Sequence, residues 1–428
     1  MLLSASGKTY PLAKLKRHKD FIDTARIPKS VRRIVQKLRN NGFDAKLVGG
    51  CVRDLLLDIK PKDFDVVTSA TPFQVKRIFK QARIIGRRFR IVHVKSEIGV
   101  VEISTYRKWN KDHIDPAVPT RSVVRSPKQV GTMKQDHRLR DFTVNALYLD
   151  VEKNVIFDFV GGLRDLKNGQ LRCIGDPETR FSEDCHRILR AVRFVSKLDL
   201  KLTEDLARSL HSQRDLLEHL EPHRLSYDLE KMLLHGYARA LCHNFIKYNF
   251  LSYIFPEIDT REALSQAALK NTDHRVKQGK PVRFAFLLAA FYWHHYRDLN
   301  IRNDREAEIL AAKRVLEVPS QRIALRADVR DFVIETWRLQ AKLEQRPLRN
   351  GKQVLSRKRF RAGFDLLCMR VGLGEASPEI ASWWTKIQEV AEAEQEQMLK
   401  EVAPVRKRRS KRRRRPREVS KQIVAVTQ

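Results

Sequence analysis

Short apolar runs that alternate with polar or glycine-containing segments dominate the first third of the chain. They are typical of strands: AKLVGG, DFDVV, ARIIG, FRIVHV and VVEISTYR. Two segments have helical spacing instead. Ser30 is a predicted N-cap for a helix that stops at Gly42, and Thr71 with Pro72 is typical of a second helix start. The pattern predicts a mixed α/β domain that ends near Asp150.

The pattern changes after about residue 180, where long amphipathic or buried helical segments replace the strand alternation. The fold class is therefore predicted as α+β, with a small mixed head and a long helical body. The chain ends in a run of arginine and lysine, PVRKRRSKRRRRPREVSKQ. A segment so charged has nothing to bury, so we expect it to be disordered in isolation.

The charge is far from balanced. The 428 residues carry 85 Lys and Arg against 51 Asp and Glu, a formal net charge of +34. Such a balance indicates a polyanionic partner, most often nucleic acid, with a membrane surface or a merely solvated surface as alternatives. The chain contains no run of about 18 apolar residues, so a transmembrane helix is not expected. The N-terminal residues lack the apolar core of a secretory signal.

The five cysteines are scattered and contain no CxxC pair. This spacing argues against a disulfide framework or a zinc site and for a reducing, cytoplasmic location.

A pair of glycines, Gly49 and Gly50, follows the first predicted strand. It lacks the third glycine of a dinucleotide fingerprint, and no Walker loop is present. A strand, a Gly-Gly turn and a helix start present backbone N–H groups to an anion, and Arg53 would add a charged fork for phosphate oxygens. The alternative is a tight turn with no ligand.

Three carboxylates indicate a metal. On a strand, Asp63 and Asp65 would point to the same side, where they repel each other unless a cation lies between them. Glu102 lies in another β-like run and would complete the cluster if the two strands are neighbours. Hard oxygen ligands suit Mg²⁺ or Mn²⁺, and such a cluster can hold two ions for phosphoryl transfer. Two surface aspartates on an exposed strand are the alternative.

These motifs together resemble the class II nucleotidyltransferases, the family of CCA-adding tRNA enzymes and bacterial poly(A) polymerases, whose catalytic fold is polymerase-β-like. The resemblance covers about the first 230 residues. It is carried by LVGGCVRDLLL, KPKDFDVVTSATP, RDFTVNALYLD, DFVGGLRDLKNGQLRCIGDPETRFSEDCHRILRAVRF and EPHRLSYDLEKML.

The resemblance implies a division of the chain into a basic N-terminal extension, a catalytic head, a neck that recognises the base, a helical RNA-binding body and an Arg/Lys-rich tail. The corresponding ranges are 1–30, 31–150, 151–220, 221–400 and 401–428.

The resemblance also implies roles for individual residues. Asp63, Asp65 and Glu102 would be the metal ligands, with Glu102 near the primer 3′-OH. The nucleotide-binding residues would be Gly49, Gly50, Arg53, Arg140, Asp141, Asn145, Asp184 and Arg187. Asp184 and Arg187 would read the base edge from one face of a helix, at i and i+3 spacing. Leu139 departs from the family pattern of two arginines before DFT, which removes one guanidinium.

Two features favour the poly(A) branch: the basic stretch IIGRRFRIVHV and the arginine-rich C-terminus. The predicted function is template-independent addition of AMP from ATP to RNA 3′ ends, with two Mg²⁺ ions, or Mn²⁺, as cofactors. RNA is the expected partner, and the expected oligomeric state is a monomer. The alternatives are a CCA-adding tRNA nucleotidyltransferase and a non-catalytic basic RNA-binding protein.

Overall fold

The computed structural model describes residues 2–3, 9–10, 22–86, 90–108, 130–301, 304–344 and 351–402. The basic tail from residue 403 onward and most of the N-terminal extension therefore lie outside the described residues, as do Arg87 and Arg88 of the basic stretch. The chain divides into two compact units, residues 1–337 and 338–428.

Eleven strands are present in the described residues. In chain order, β1 to β11 are Leu2–Leu3, Thr9–Tyr10, Ala45–Val48, Asp65–Thr68, Arg83–Ile85, Ile91–Ser96, Gly99–Thr105, Leu147–Asp150, Val155–Asp158, Gln170–Leu171 and Lys201–Leu202. Seven of them form the main sheet, in the order β5-β6-β7-β4-β3-β8-β9. Only β4 and β7 run parallel within it, and the other neighbours are antiparallel.

Helices dominate the chain after this sheet. In chain order, α1 to α21 are Lys29–Asn40, Gly50–Leu56, Pro72–Ile78, Met133–Asp136, Gly162–Lys167, Pro177–Glu183, His186–Leu198, Glu204–Ser212, Pro222–Leu233, Ala238–Lys247, Leu251–Ile254, Ala263–Lys277, Phe284–Phe291, Trp293–Asp298, Arg305–Val315, Glu317–Ile323, Ala327–Glu344, Gly351–Leu355, Phe360–Gly372, Pro378–Glu389 and Glu392–Val402. Short 3₁₀ helices lie at Thr24–Arg26, His137–Leu139, Thr143–Asn145 and Arg214–His219. The predicted α+β class is confirmed.

The two sides of the main sheet differ. One side packs against α1, α2 and α3 in a large apolar core that includes Leu38, Val75, Val92 and Ile103. The other side has a smaller cluster over the β3, β4 and β8 part of the sheet: Val48, Val67, Tyr106 and Tyr148, with Met133, Phe157 and Phe159 packed against it. Because strand side chains alternate, Asp65 and Val67 project toward this second side.

Two of the three predicted helix ends are confirmed. Thr71 caps α3 through a capping box, with Pro72 in the first turn. Helix α1 stops at Asn40, and Gly42 takes a positive φ of 84° just after it. The predicted N-cap at Ser30 was wrong. Helix α1 begins directly after Pro28, whose ring fixes φ, so Ser30 lies inside the first turn and is buried.

Candidate active site

Two of the three carboxylates that the sequence singled out lie on neighbouring strands. Asp65 and Glu102 are direct register partners on the parallel pair β4 and β7. Asp65 is mostly buried, and this burial raises its pKa to about 6. Repulsion from Glu102 and Asp63 acts in the same direction, whereas Arg140 acts to lower the pKa. The site thus holds negative charge that its own side chains only partly neutralise.

Asp63 joins the other two by a different route from the one predicted. Strand β4 begins at Asp65, where its first ladder partner is Glu102, so Asp63 precedes the strand and does not share its alternation. Phe64 between them is buried in the core, as predicted. Asp63 is exposed but close enough to contribute to the raised pKa of Asp65.

The chemistry of this donor set fits a hard divalent cation. All three groups supply carboxylate oxygens, and a cation between them would relieve their repulsion. Within the described residues, no three His, Cys, Asp or Glu side chains are already gathered in metal-binding geometry. The three carboxylates thus meet the chemical requirement, and Asp63 lies just before the strand pair that carries the other two.

The Gly-Gly turn lies against the same carboxylate. Gly49 caps the N-terminus of α2 with φ +78°, a conformation that other residues rarely adopt. A Cβ on Gly49 would lie 3.7 Å from Arg140 Nη1 and 3.9 Å from Asp65 Oδ2. The turn, an arginine and a carboxylate therefore converge on one small space, and the positive φ would strain any other residue at Gly49.

Arg53 lies beneath this turn and is itself buried. Its Nη1 donates to Asn145 Oδ1 at 2.6 Å, its Nε donates to Asp54 Oδ1 at 2.9 Å, and its guanidinium lies 5.1 Å from the ring centroid of Phe194. In this conformation Arg53 ties α2 to α7 and to the segment before β8. Direct contact with phosphate by Arg53 stays a prediction.

Arg140 is held by a buried network that the sequence did not predict. Its Nε donates to Asp136 Oδ2 at 3.0 Å, and the Tyr148 hydroxyl donates to the same carboxylate oxygen at 2.7 Å. Burial acts to raise the pKa of Asp136, but Arg140 and Arg107 outweigh it and lower this pKa to about 2. The i,i+4 spacing of Asp136 and Arg140 was the available sequence signal.

The next two predicted residues connect the sheet to α7. Asp141 forms an ion pair with Arg190 and accepts a hydrogen bond from Asn145 Nδ2 at 3.3 Å. Burial acts to raise the pKa of Asp141, but the Arg190 guanidinium and the hydrogen bonds lower it to about 2. Asn145 therefore joins Asp141 to Arg53, and the three form one bracing network behind the turn.

Asp184 and Arg187 are placed differently from the prediction. They do not share a helix, because Asp184 lies in extended backbone between α6 and α7. Its carboxylate accepts the backbone N–H of His186 at 3.1 Å, which favours this break. Arg187, in the first turn of α7, donates to the Arg180 carbonyl and to Glu183 at 3.1 Å. The two side chains thus lie at one helix junction.

Family comparisons identify the relatives of this chain. The chain matches the poly A polymerase head domain over residues 45–172, a probable RNA- and SrmB-binding site of polymerase A over residues 199–261, and the polymerase A arginine-rich C-terminus over residues 302–418. It is 35% identical to poly(A) polymerase I of Haemophilus influenzae over 405 residues, which are 90% of each chain. It is 33% identical to poly(A) polymerase I of Salmonella typhi, over 91% of this chain and 90% of that protein.

The chain belongs to the bacterial poly(A) polymerase family. It is therefore a nucleotidyltransferase enzyme, and poly(A) addition to RNA is the activity of its family. CCA-adding enzymes match a smaller share of the chain in sequence. That of Ligilactobacillus salivarius is 38% identical over 204 residues, 47% of this chain and 48% of that one.

Solved structures show the same fold. A tRNA-processing enzyme superimposes with a TM-score of 0.61 at 22% identity, over 85% of this chain and 98% of that one. The Bacillus stearothermophilus CCA-adding enzyme in complex with CTP gives a TM-score of 0.57 at 24% identity, over 84% and 81% of the two chains. The polymerase-β-like head with a helical remainder, predicted from the motifs, is confirmed.

The structure also describes the cysteines and the helices on which two expectations from composition were based. All five cysteines lie in the described part of the chain, and all are free. None of the helices in the described ranges is long and apolar enough to cross a membrane.

Proposed function

We propose that this poly(A) polymerase-family enzyme transfers AMP from ATP to RNA 3′ ends, with Asp63, Asp65 and Glu102 as the catalytic carboxylates and the Gly49-Gly50 turn against the triphosphate. The 3′-oxygen of RNA would attack the α-phosphorus of ATP. The bond from that phosphorus to the bridging oxygen would break, and pyrophosphate would leave. No template strand is required.

One observation carries the proposal: Asp65, the register partner of Glu102, lies beside the Gly49 turn together with the guanidinium of Arg140. The arrangement supports positioning of a phosphate group between backbone N–H donors on one side and carboxylates on the other. Divalent cations, two Mg²⁺ or Mn²⁺ ions held by the three carboxylates, would supply charge neutralisation at the α-phosphate.

The chain's own groups have separable tasks in this proposal. The Asp136 and Tyr148 network fixes the guanidinium of Arg140 beside the turn, and this positive charge is placed to meet phosphate oxygens. Asp141, Asn145 and Arg53 hold the turn against α7 and act through it. Asp184 and Arg187, at the start of α7, would present acceptors and donors to the base of the incoming nucleotide.

Adenylate tailing is favoured over CCA addition by the extent of the similarity. The relatives that carry the poly(A) polymerase name match about nine tenths of the chain, whereas the CCA-adding relative matches under half. The match to an arginine-rich C-terminus supports non-specific electrostatic holding of many RNAs. A cytoplasmic location and a monomeric state remain predictions.

A nucleotide-by-nucleotide assay tests the proposed function. Purified protein is incubated with Mg²⁺ and a labelled unstructured RNA, with each nucleoside triphosphate alone and with CTP and ATP together, and in parallel with a tRNA that lacks its CCA end. We expect long ladders with ATP alone on the unstructured RNA. Addition confined to the tRNA, with CTP required before ATP, would assign the enzyme to CCA addition. No extension with any nucleotide would leave the RNA-binding alternative.

A further inference from the structure

The side of the main sheet that carries the carboxylates is covered over only part of its width. The apolar cluster of Val48, Val67 and Tyr148 covers the β3, β4 and β8 part. Over β5, β6 and β7 the same side is uncovered by any element in the described ranges. We call it the open face, formed by Arg83, Ile85, His93, Lys95, Val100 and Glu102.

The register defines the open face without ambiguity. Glu102 pairs with His93, and His93 pairs with Arg83, so these side chains form one row that continues outward from Asp65. The neighbouring row contains Val100 and its partner Lys95. Alternation is confirmed by burial, since Val92, Val94, Val101 and Ile103 on the same strands all lie in the core on the other side.

The open face combines positive charge with exposed aliphatic surface. Arg83 and Lys95 are exposed and positively charged, and Ile85 and Val100 are both 47% exposed. His93 lies between the charged rim and the catalytic carboxylate, with Nε2 3.5 Å from Glu102 Oε1. Cations suit phosphates and apolar side chains suit the faces of bases, so the charge and the exposed aliphatic surface are complementary to an RNA strand.

The chemistry of the transfer determines from which side the RNA arrives. In phosphoryl transfer the attacking and leaving oxygens lie roughly in line, on opposite sides of the phosphorus. The Gly49 turn follows β3, on one side of β4, whereas Glu102 lies on β7, on the other side. With the triphosphate at the turn, the attacking 3′-oxygen must come from the β7 side, where β6 and then β5 continue the described sheet.

We propose that the RNA 3′ end reaches the catalytic carboxylates across the open face, with its last backbone phosphates held by Arg83 and Lys95 and its bases against Ile85 and Val100. This inference rests on the proposed function. Arg83 lies two strand spacings from Glu102, about 10 Å, which places it beyond the terminal nucleotide. Arg83 and Lys95 are thus binding residues for the primer and do not touch the reacting atoms.

A matched pair of double variants tests the inference. Arg83→Ala with Lys95→Ala removes two charges from the open face. Lys76→Ala with Arg77→Ala removes two exposed charges from α3, which packs on the opposite side of the same sheet. For the open-face variant we expect the KM for a short oligo(A) primer to rise roughly tenfold at low salt, with little change in kcat or in the KM for ATP.

The salt dependence and a conservative variant supply independent readouts. Loss of two phosphate contacts reduces the slope of log affinity against log salt by about 1.4, because each contact to a single strand contributes about 0.7. Arg83→Lys with Lys95→Arg should retain most of the affinity. Equal effects of the two double-alanine variants on primer KM and salt slope would overturn the inference.

The inference and the proposed function can fail separately. If the wild type transfers no AMP, the proposed function falls. RNA affinities measured without ATP for the same proteins would still decide whether the open face binds the strand. Unchanged RNA affinity in the open-face variant would overturn the inference even if AMP transfer is intact.

Discussion

Replacement of Asp65 by asparagine should abolish AMP transfer and stabilise the protein at the same time. The rate should fall by at least about 10³-fold, because Asp65 is a charged metal ligand in the proposed mechanism, which depends on positioned charge. The asparagine is nearly isosteric, so the register of β4 with β7 should persist. The rate is measured by primer extension at saturating ATP and Mg²⁺.

The stability change has the opposite sign because the pKa of Asp65 is raised to about 6 in the folded protein. The folded state therefore binds a proton more tightly than the unfolded state, and this contribution to stability is lost as pH rises from about 4 through 6. Asparagine carries no charge, so the variant escapes this loss. At pH 8 in EDTA we expect its free energy of unfolding to exceed that of the wild type by up to about 3 kcal/mol.

Divalent ions should make the wild type more stable than Asp65→Asn. Mg²⁺ that binds only the folded wild type raises its unfolding temperature, whereas Asp65→Asn should show little response. Thermal unfolding with and without Mg²⁺ provides the measurement. A variant that is both inactive and less stable than the wild type in EDTA would mean that Asp65 supports the fold and not the chemistry.

Replacement of Arg140 by methionine should be the most destabilising single change at the site. Asp136 is 1% exposed, and the change removes one of its two arginine partners while leaving its charge buried. Removal of one partner of a buried ion pair typically costs 3–5 kcal/mol, so with Arg107 and Tyr148 still in place we expect a loss of about 3 kcal/mol. Urea unfolding at pH 7 measures it.

The pH dependence identifies the cause. The pKa of Asp136 is lowered to about 2 in the folded protein, so its ionised form contributes stability above about pH 4 that is lost as pH falls toward 2. In Arg140→Met this acid loss should begin at higher pH. Adding Asp136→Asn should recover stability without recovering AMP transfer, since the guanidinium beside Gly49 remains absent.

An exposed arginine provides the control for this variant. Arg261 pairs with Asp259 on the surface, and its side chain is 72% exposed, so Arg261→Met should leave the unfolding curve unchanged. If Arg140→Met and Arg261→Met unfold alike, the buried network does not hold the site together.

Local patterns predicted the chemistry of the site better than its geometry. The alternation of apolar and acidic residues placed Asp65 and Glu102 on strands with buried neighbours, and the two strands are indeed adjacent. Tertiary packing decides which strands become neighbours. From the sequence, Glu102 could complete the carboxylate cluster only if its strand lay next to that of Asp65. The same holds for Arg53, whose acceptor on Asn145 lies 92 residues away in the chain.

The two geometric errors share a cause. Asp63 was placed on the strand, but the ladder begins only where Asp65 finds partners on β7. Asp184 was placed within a helix, but its side chain bonds the N–H of His186 and keeps its own backbone extended. In both cases hydrogen bonding places the end of a strand or helix inside a sequence motif. Boundaries of this kind depend on contacts that periodicity does not contain.

Sulfur substitution at the α-phosphate of ATP tests most directly whether the carboxylates bring a divalent ion to the reacting phosphate. Each diastereomer of ATPαS is supplied with Mg²⁺ or with Mn²⁺, and the rate of transfer to oligo(A) is compared with that for ATP. For one diastereomer we expect the rate to collapse in Mg²⁺, which prefers oxygen, and to recover in the more sulfur-tolerant Mn²⁺. Equal rates for ATP and both diastereomers in Mg²⁺ would contradict a metal contact at the α-phosphate, and with it the role assigned to Asp63, Asp65 and Glu102.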